Sequence, residues 1–328
     1  MYHDIPPILE DFLNYQRTVR GLSANTIREY YYDLRGFLRF IQYRYGDEEL
    51  QKKPMEEIPI RSMRKEDLAR IDLNDLHAYL SYSDSERGDS PTTRARKMAS
   101  LRSFYKYLTV IAEYFEKNPA AKLSTPKVKK RHPVYLTLSE AVSLIETSAK
   151  QENVFFRYRD IAILVTFLTT GIRLSELCGM NLASIRDHTF NVVGKGNKER
   201  KIYMTESCEA AIDQYLAYRP NVPNEKALFL SSRKQRMSPR AVQHRIEGFL
   251  REAGFDTSVY STHKLRHTAA TLMYKEGVDI RTLQRILGHT SVATTQIYTH
   301  VEDELVREAM SRNPLARLQV DPAPEKKD

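Results

Sequence analysis

Ten residues in the middle of the chain, Ser124 to Pro133, read STPKVKKRHP. Two prolines and four cations fill that stretch, and it holds almost nothing to bury. Proline removes a backbone donor and breaks regular structure, so a segment of this composition connects elements and does not pack. A chain interrupted here must build two cores, one on each side. The 328 residues agree, at roughly 100–200 residues per domain. The expected division is a small helical domain over 1–120, a basic linker over 121–135, a second domain over 136–313 and a flexible tail over 314–328. The tail's DPAPEKKD ending is disordered by composition.

Both domains read as mainly helical. Glycine, at 12 residues, falls below the usual share of about 7%, which favours helices over hairpins and barrels. A first helix is predicted over 8–19 and a second over 23–45. In the second, Ile27, Tyr30, Leu34, Phe37, Leu38 and Ile41 recur at three- and four-residue steps as one apolar stripe. Gly46 to Arg61, polar and carrying Pro54 and Pro59, reads as a long loop. Helical pattern resumes over 67–82. Ser90-Pro91 then offers a capping hydroxyl and a proline at the first helical position. The helix it opens is expected to bury Met98, Leu101, Tyr105 and Leu108, with Arg94, Lys97, Arg102 and Lys106 projecting elsewhere. In the second half, a helix opens near Thr137 with Ser139 as a possible cap. An apolar core helix over 160–169 ends at Thr170-Gly171. The β-branched runs flanking Gly194-Lys195-Gly196-Asn197 predict a hairpin over 189–205. Helices follow near 206–218, 238–253, 262–276, 280–287 and 291–312. The fold class is thus mainly α in two domains, the second α+β with a small β-hairpin.

Several function classes drop out. Two cysteines, Cys178 and Cys208, supply neither a disulfide framework nor a four-sulfur zinc site. The opening MYHDIPPILEDF lacks the basic-then-apolar pattern of a secretory signal. The apolar run between Asp160 and Arg173 has 12 uncharged residues, short of the about 20 that cross a bilayer. A cytoplasmic protein without a membrane partner is expected. Its charge points to a polyanion: Arg94 to Arg131 holds eleven basic residues against two acidic ones, a balance equal to the whole chain's +9. Arg94, Arg96, Lys97 and Arg102 in that window are candidate DNA contacts, since each neutralised phosphate releases counterions and adds affinity. A solvated helix face followed by a basic linker is the competing reading.

The chemistry-bearing residues cluster late. In Ser261-Thr-His-Lys-Leu-Arg-His267, His263 and Arg266 share a helix face, and Leu265, Ala269 and Leu272 turn toward the core. His263 and His267 stand at zinc-like spacing. The metalloprotease pattern, however, needs glutamate after the first histidine, where this chain has Lys264. Leu287-Gly288-His289 stops a helix and lets the histidine reach a ligand. Tyr298 follows nine residues later. Taken singly, Tyr298 is one packing aromatic among 20 tyrosines and Arg173 a surface charge past the Gly171 break.

Together, TGIRLSEL (170–177), VVGKGNKERKIYM (192–204), HKLRHTAAT (263–271) and LGHTSVATTQIYTH (287–300) resemble the tyrosine recombinase, or phage-integrase-like, family, most closely its bacterial Xer branch. LSANTIREYYYDLRGFLRF and TTRARKMASLRSFYKYL resemble that family's SAM-like core-binding domain. The resemblance implies a catalytic set of Arg173, Lys195, His263, Arg266, His289 and Tyr298. In that set Tyr298 is the nucleophile, and a phenol with pKa about 10 ionises more readily than an alcohol. Arg173 and Arg266 are planar donors for the phosphate oxygens. His263 and His289 donate to the same phosphate or accept the phenolic proton. Lys195 protonates the leaving 5′-oxygen, with Lys198 its nearest competitor. The product is a 3′-phosphotyrosyl enzyme. No metal and no other cofactor is called for. The implied partners are duplex DNA with an inverted-repeat site and a homo- or hetero-tetramer that passes through a Holliday junction, its 301–313 helix docking on a neighbour. Chromosome-dimer resolution is the leading role. A mobile-element integrase, a type IB topoisomerase and a non-cleaving DNA-binding regulator are the alternatives.

Overall fold

The computed structural model describes residues 4–124, 134–193, 199–288 and 295. The chain divides into two compact units, Met1–Lys130 and Arg131–Asp328.

The first unit is built from helices α1 (Pro7–Thr18), α2 (Ala24–Tyr45), α3 (Glu48–Gln51), α4 (Lys65–Ala69), α5 (Leu73–Ser85) and α6 (Pro91–Lys106), the last continued by a π turn over Tyr107–Ile111. Ser23 and Ser90 cap α2 and α6 by accepting from the backbone N–H three residues on, at 3.3 and 3.2 Å. Each hydroxyl satisfies one donor that the helix leaves orphaned. The apolar stripe of α2 meets Phe12 of α1 and Phe104 of α6, whose rings pack edge-to-face at 5.2 Å. Two expectations need correction. The 67–82 helix is two helices: Asp72 accepts from the N–H groups of Asn74 and Asp75, and Asp75 reaches back to the Asp72 N–H, so a capping box starts α5 afresh. The 46–61 stretch is no plain loop. It contains α3 and a 3₁₀ turn over Met55–Glu57, and it buries Ile58 and Ile60 completely. These two isoleucines, spaced two apart, anchor an otherwise polar segment.

The second unit packs α7 (Leu138–Ala149), α8 (Val154–Thr170), α9 (Leu174–Gly179), α10 (Glu206–Tyr218), α11 (Pro239–Glu252), α12 (Thr262–Lys275) and α13 (Ile280–Leu287) with a three-stranded antiparallel sheet. Helix α8 is the central element: Ala162, Ile163, Leu164, Val165 and Phe167 are all buried. Thr137, and not Ser139, caps α7, through a box with Glu140. Strands β2 (Thr189–Val193) and β3 (Glu199–Tyr203) form the expected hairpin, with Phe190 opposite Ile202. Its turn, with Lys195, lies outside the described residues. An unforeseen strand, β1 (Ile185–Arg186), joins β2 through Asp187 and His188, both at positive φ (48° and 59°). A two-residue turn with both central residues at positive φ suits the sheet's twist, and without a glycine in it the sequence carried little signal.

Candidate active site

The site begins where α8 ends. Gly171 takes the left-handed conformation (φ 60°) and its N–H caps the helix on Phe167 O at 3.0 Å. A β-carbon there would stand 2.8 Å from Leu287 Cδ2. This glycine therefore lets α8 stop hard against the last residue of α13. Two residues later Arg173 becomes the N-cap of α9. Its guanidinium donates to Glu176 Oε1 at 2.7 Å and to Gly288 O at 2.6 Å, while its backbone N–H donates to Glu176 Oε2 at 2.9 Å.

Arg266, on α12, is 5% exposed. It donates to Gly171 O and to Leu287 O, each at 2.6 Å. Two arginines 93 positions apart in the chain thus converge on the carbonyl end of α13, where Gly288 (φ 61°) terminates the helix. A helix C-terminus carries partial negative charge and orphaned carbonyls, which suit guanidinium donors. His263 lies one turn before Arg266 and packs edge-to-face on His267 at 4.6 Å. Leu265 and Ala269 are buried as expected, and Leu272 is half-buried. The His263 residue stays largely open to solvent. Even so, partial desolvation of the ring, then the positive charges of Arg266 and Lys264, hold its pKa below the usual 6.5. The shift favours the neutral ring, which is able to accept a proton.

Sequence reasoning missed two members. Glu176 is fully buried as a side chain, and Arg200, on β3, donates to it at 2.8 Å. Burial alone would raise the Glu176 carboxyl. Hydrogen bonds from Arg200 and from the Arg173 backbone and side chain outweigh it and hold the pKa below 4.5. Two guanidiniums on one carboxylate leave the cluster positively charged, as an anion site requires. The signal for Glu176 was its i+3 spacing from Arg173; Arg200 was hidden among the cations of GKGNKER. His289, the residue after Gly288, and Tyr298 lie outside the described residues, as does Lys195. Among the described residues no group of three or more His, Cys, Asp or Glu is placed to hold a metal ion.

The "Phage integrase family" model matches residues 134–304, over half of the chain, and the "Phage integrase, N-terminal SAM-like domain" model matches 9–56 and 59–110. The tyrosine recombinase XerC of Caldanaerobacter subterraneus subsp. tengcongensis is 50% identical over 315 residues, covering 95% of this chain and 88% of the relative. The chain belongs to the phage integrase family of tyrosine recombinases. Its activity is that of the family: site-specific recombination of the Xer type, by cleavage and rejoining of DNA strands. The XerD of Proteus mirabilis is 34% identical, covering 92% and 90% of the two chains. The fold of the recombinase also matches that of XerH bound to a palindromic difH substrate, with a TM-score of 0.66 at 21% identity, over 93% and 94% of the two chains.

The four candidate DNA contacts of the recombinase sit along α6, each with a protein partner. Arg94 pairs with Asp84 and is 19% exposed. Arg96, 43% exposed, pairs with Asp33 at 2.6 Å and Glu29 at 3.0 Å. Arg102 donates to the carbonyl of Leu123. Lys97 does not project outward as expected. It is 8% exposed, 2.5 Å from Asp89, 3.3 Å from Ser83 Oγ, and 5.4 Å from the Tyr79 ring centre. Burying an ammonium costs free energy unless it is paired, and the chain supplies the pair locally through Asp89. Burial in turn raises the Asp33 carboxyl above its usual pKa, against the pull of Ser100, Arg96 and Lys97. No helix among the described residues is long and apolar enough to cross a membrane.

Proposed function

We propose that the recombinase cuts one strand of a specific duplex by attack of the Tyr298 phenol on the scissile phosphate. The new bond is phosphorus to tyrosine oxygen; the bond broken is phosphorus to the 5′-oxygen, which departs with a proton from Lys195. Arg173 and Arg266 neutralise the non-bridging oxygens, His263 takes the phenolic proton, and His289 supports the phosphate. These donors require neither a metal nor a cofactor. The observation that carries this reading is the meeting of Arg173 and Arg266 on the carbonyl end of α13, one residue before His289. The same reading takes an inverted-repeat target, the cytoplasm as the place, chromosome-dimer resolution as the role, and Arg94, Arg96 and Arg102, which lie along one helix, as phosphate contacts. Four protomers on a Holliday junction, as in the lambda integrase tetramer of the same fold, are the matching assembly, with residues 1–120 and 136–313 as its two DNA-binding parts.

The test is Tyr298→Phe on a nicked suicide duplex carrying the site that the wild-type protein selects from a random pool. DNA binding should persist while covalent adduct, read on denaturing gels, disappears. Adduct from the Phe variant would remove Tyr298 as the nucleophile.

A further inference from the structure

Arg200 stands on β3, five residues past Lys195, and its side chain is 17% exposed. Its Nη2 donates to Glu176 Oε2 at 2.8 Å, its Nε lies 3.5 Å from Glu176 Oε1, and its Nη1 donates to the carbonyl of Ile286. Its Cδ and Nε occupy the place of a β-carbon on Gly288, 2.8 and 2.9 Å from where that atom would sit. One side chain thus joins the outgoing strand of the hairpin to α9, whose N-cap is Arg173, and to the end of α13, which leads to His289.

We propose that Arg200 is a positioning residue that sets the Arg173 guanidinium, through their shared Glu176, for the scissile phosphate. The proposal rests on the reading of Arg173 as a phosphate ligand. A guanidinium is costly to bury, and a well-packed apolar side chain can serve as a stronger joint; an arginine here does something a strut does not. Alone with Glu176, Arg173 would form a closed, neutral ion pair at 2.7 Å and spend its field on the carboxylate. A second guanidinium on the same carboxylate divides that attraction and fixes the Glu176 plane. Arg173 then keeps charge for the phosphate and a single direction in which to present it. A lysine substitutes only in part, because a point ammonium does not span Glu176 and the Ile286 carbonyl as a planar fork does. The Gly288 contact ties the same side chain to the segment before His289, so the strand leaving the Lys195 turn, α9 and the end of α13 are held by one group.

The experiment measures single-turnover adduct formation and DNA affinity on the selected suicide duplex, for wild type, Arg200→Met, Arg200→Lys and Arg173→Ala. Each is run on the ordinary phosphodiester and on a methylphosphonate at the scissile position, which lacks the charge that Arg173 neutralises. Arg200→Met should lose on the order of 10²-fold in cleavage, the scale of one preorganised charge-stabilising donor, with affinity unchanged within about threefold; Arg200→Lys should recover only part of the rate. On the methylphosphonate the Arg200→Met defect should shrink in parallel with that of Arg173→Ala. An equal defect on both substrates, or a rate loss matched by lost DNA affinity, makes Arg200 a structural strut and overturns the proposal. If Arg200→Met does not fold, Arg200→Lys decides: full activity overturns the proposal, and a defect relieved by the methylphosphonate supports it. Wild-type cleavage of the phosphodiester by Arg173→Ala would bring down the underlying reading, a result visible apart from any Arg200 variant.

Discussion

Arg266 donates to the carbonyl oxygen of Gly171 at 2.6 Å, although 95 positions separate them in the chain. The bond fixes the second arginine of the site to the turn that launches the first, so the geometry of one depends on that of the other. It exists because Gly171 holds a left-handed φ and presents no side chain to Leu287.

Gly171→Ala should therefore damage both arginines at once. The left-handed conformation costs a non-glycine residue about 1–3 kcal/mol, and the new methyl would press on the fully buried Leu287. Thermal unfolding of the variant should show a lowered midpoint. Its single-turnover cleavage should fall further than that of Leu287→Ala, which leaves the turn conformation intact. An alanine variant with wild-type stability and rate would mean that the turn does not set the arginines.

Lys97 and Arg96 are neighbours in sequence, and DNA binding should separate them. Removing Lys97 strands Asp89 in a mostly buried pair, so Lys97→Ala should destabilise the first unit by about 3 kcal/mol and leave the salt dependence of DNA binding alone. Arg96, more exposed, should be felt in DNA binding as well as through the stability lost with its bond to the buried Asp33. Arg96→Ala should lower the slope of log K against log salt by about 0.9. Urea unfolding and salt-titrated binding of both variants check the pair. A changed slope for Lys97→Ala with unchanged stability would reverse the assignment.

The lowered pKa of His263 predicts a pH profile. Its folded ring resists protonation, so as pH falls below the usual 6.5 the unfolded chain binds the proton that the folded one refuses. Stability should then decline toward the lowered folded value and be fully present above 6.5. If the neutral ring accepts the Tyr298 proton, cleavage should climb with pH below 6.5 and level above it. His263→Gln should flatten that limb. A limb unchanged in the glutamine variant would take the base role away from His263.

Much of this molecule is settled by local chemistry. The stripe of α2, the Ser90-Pro91 start, the Gly171 and Gly288 stops and the hairpin over 189–205 each depend on residues near one another in the chain, and each was readable from composition and spacing. The proposed catalytic set rests on resemblance, carried by four short motifs in order. Where reading failed locally, a competing local interaction was overlooked: the Asp72–Asp75 box, the Thr137–Glu140 box, and a two-residue turn with no glycine. The fates of the charged residues are another matter. Nothing in the pattern RARKMASLR separates Arg96, which remains accessible, from Lys97, which is buried on Asp89 and Ser83. Nothing in GKGNKER singles out Arg200 as the partner of Glu176. A charge's role depends on which carboxylate or carbonyl lies within about 3 Å of it, and those partners come from distant elements brought together only by the packing of the core. Local sequence sets the helices, the caps and the types of residue available to the reaction. Packing of distant elements sets which cations are consumed in holding the protein together and which stay accessible.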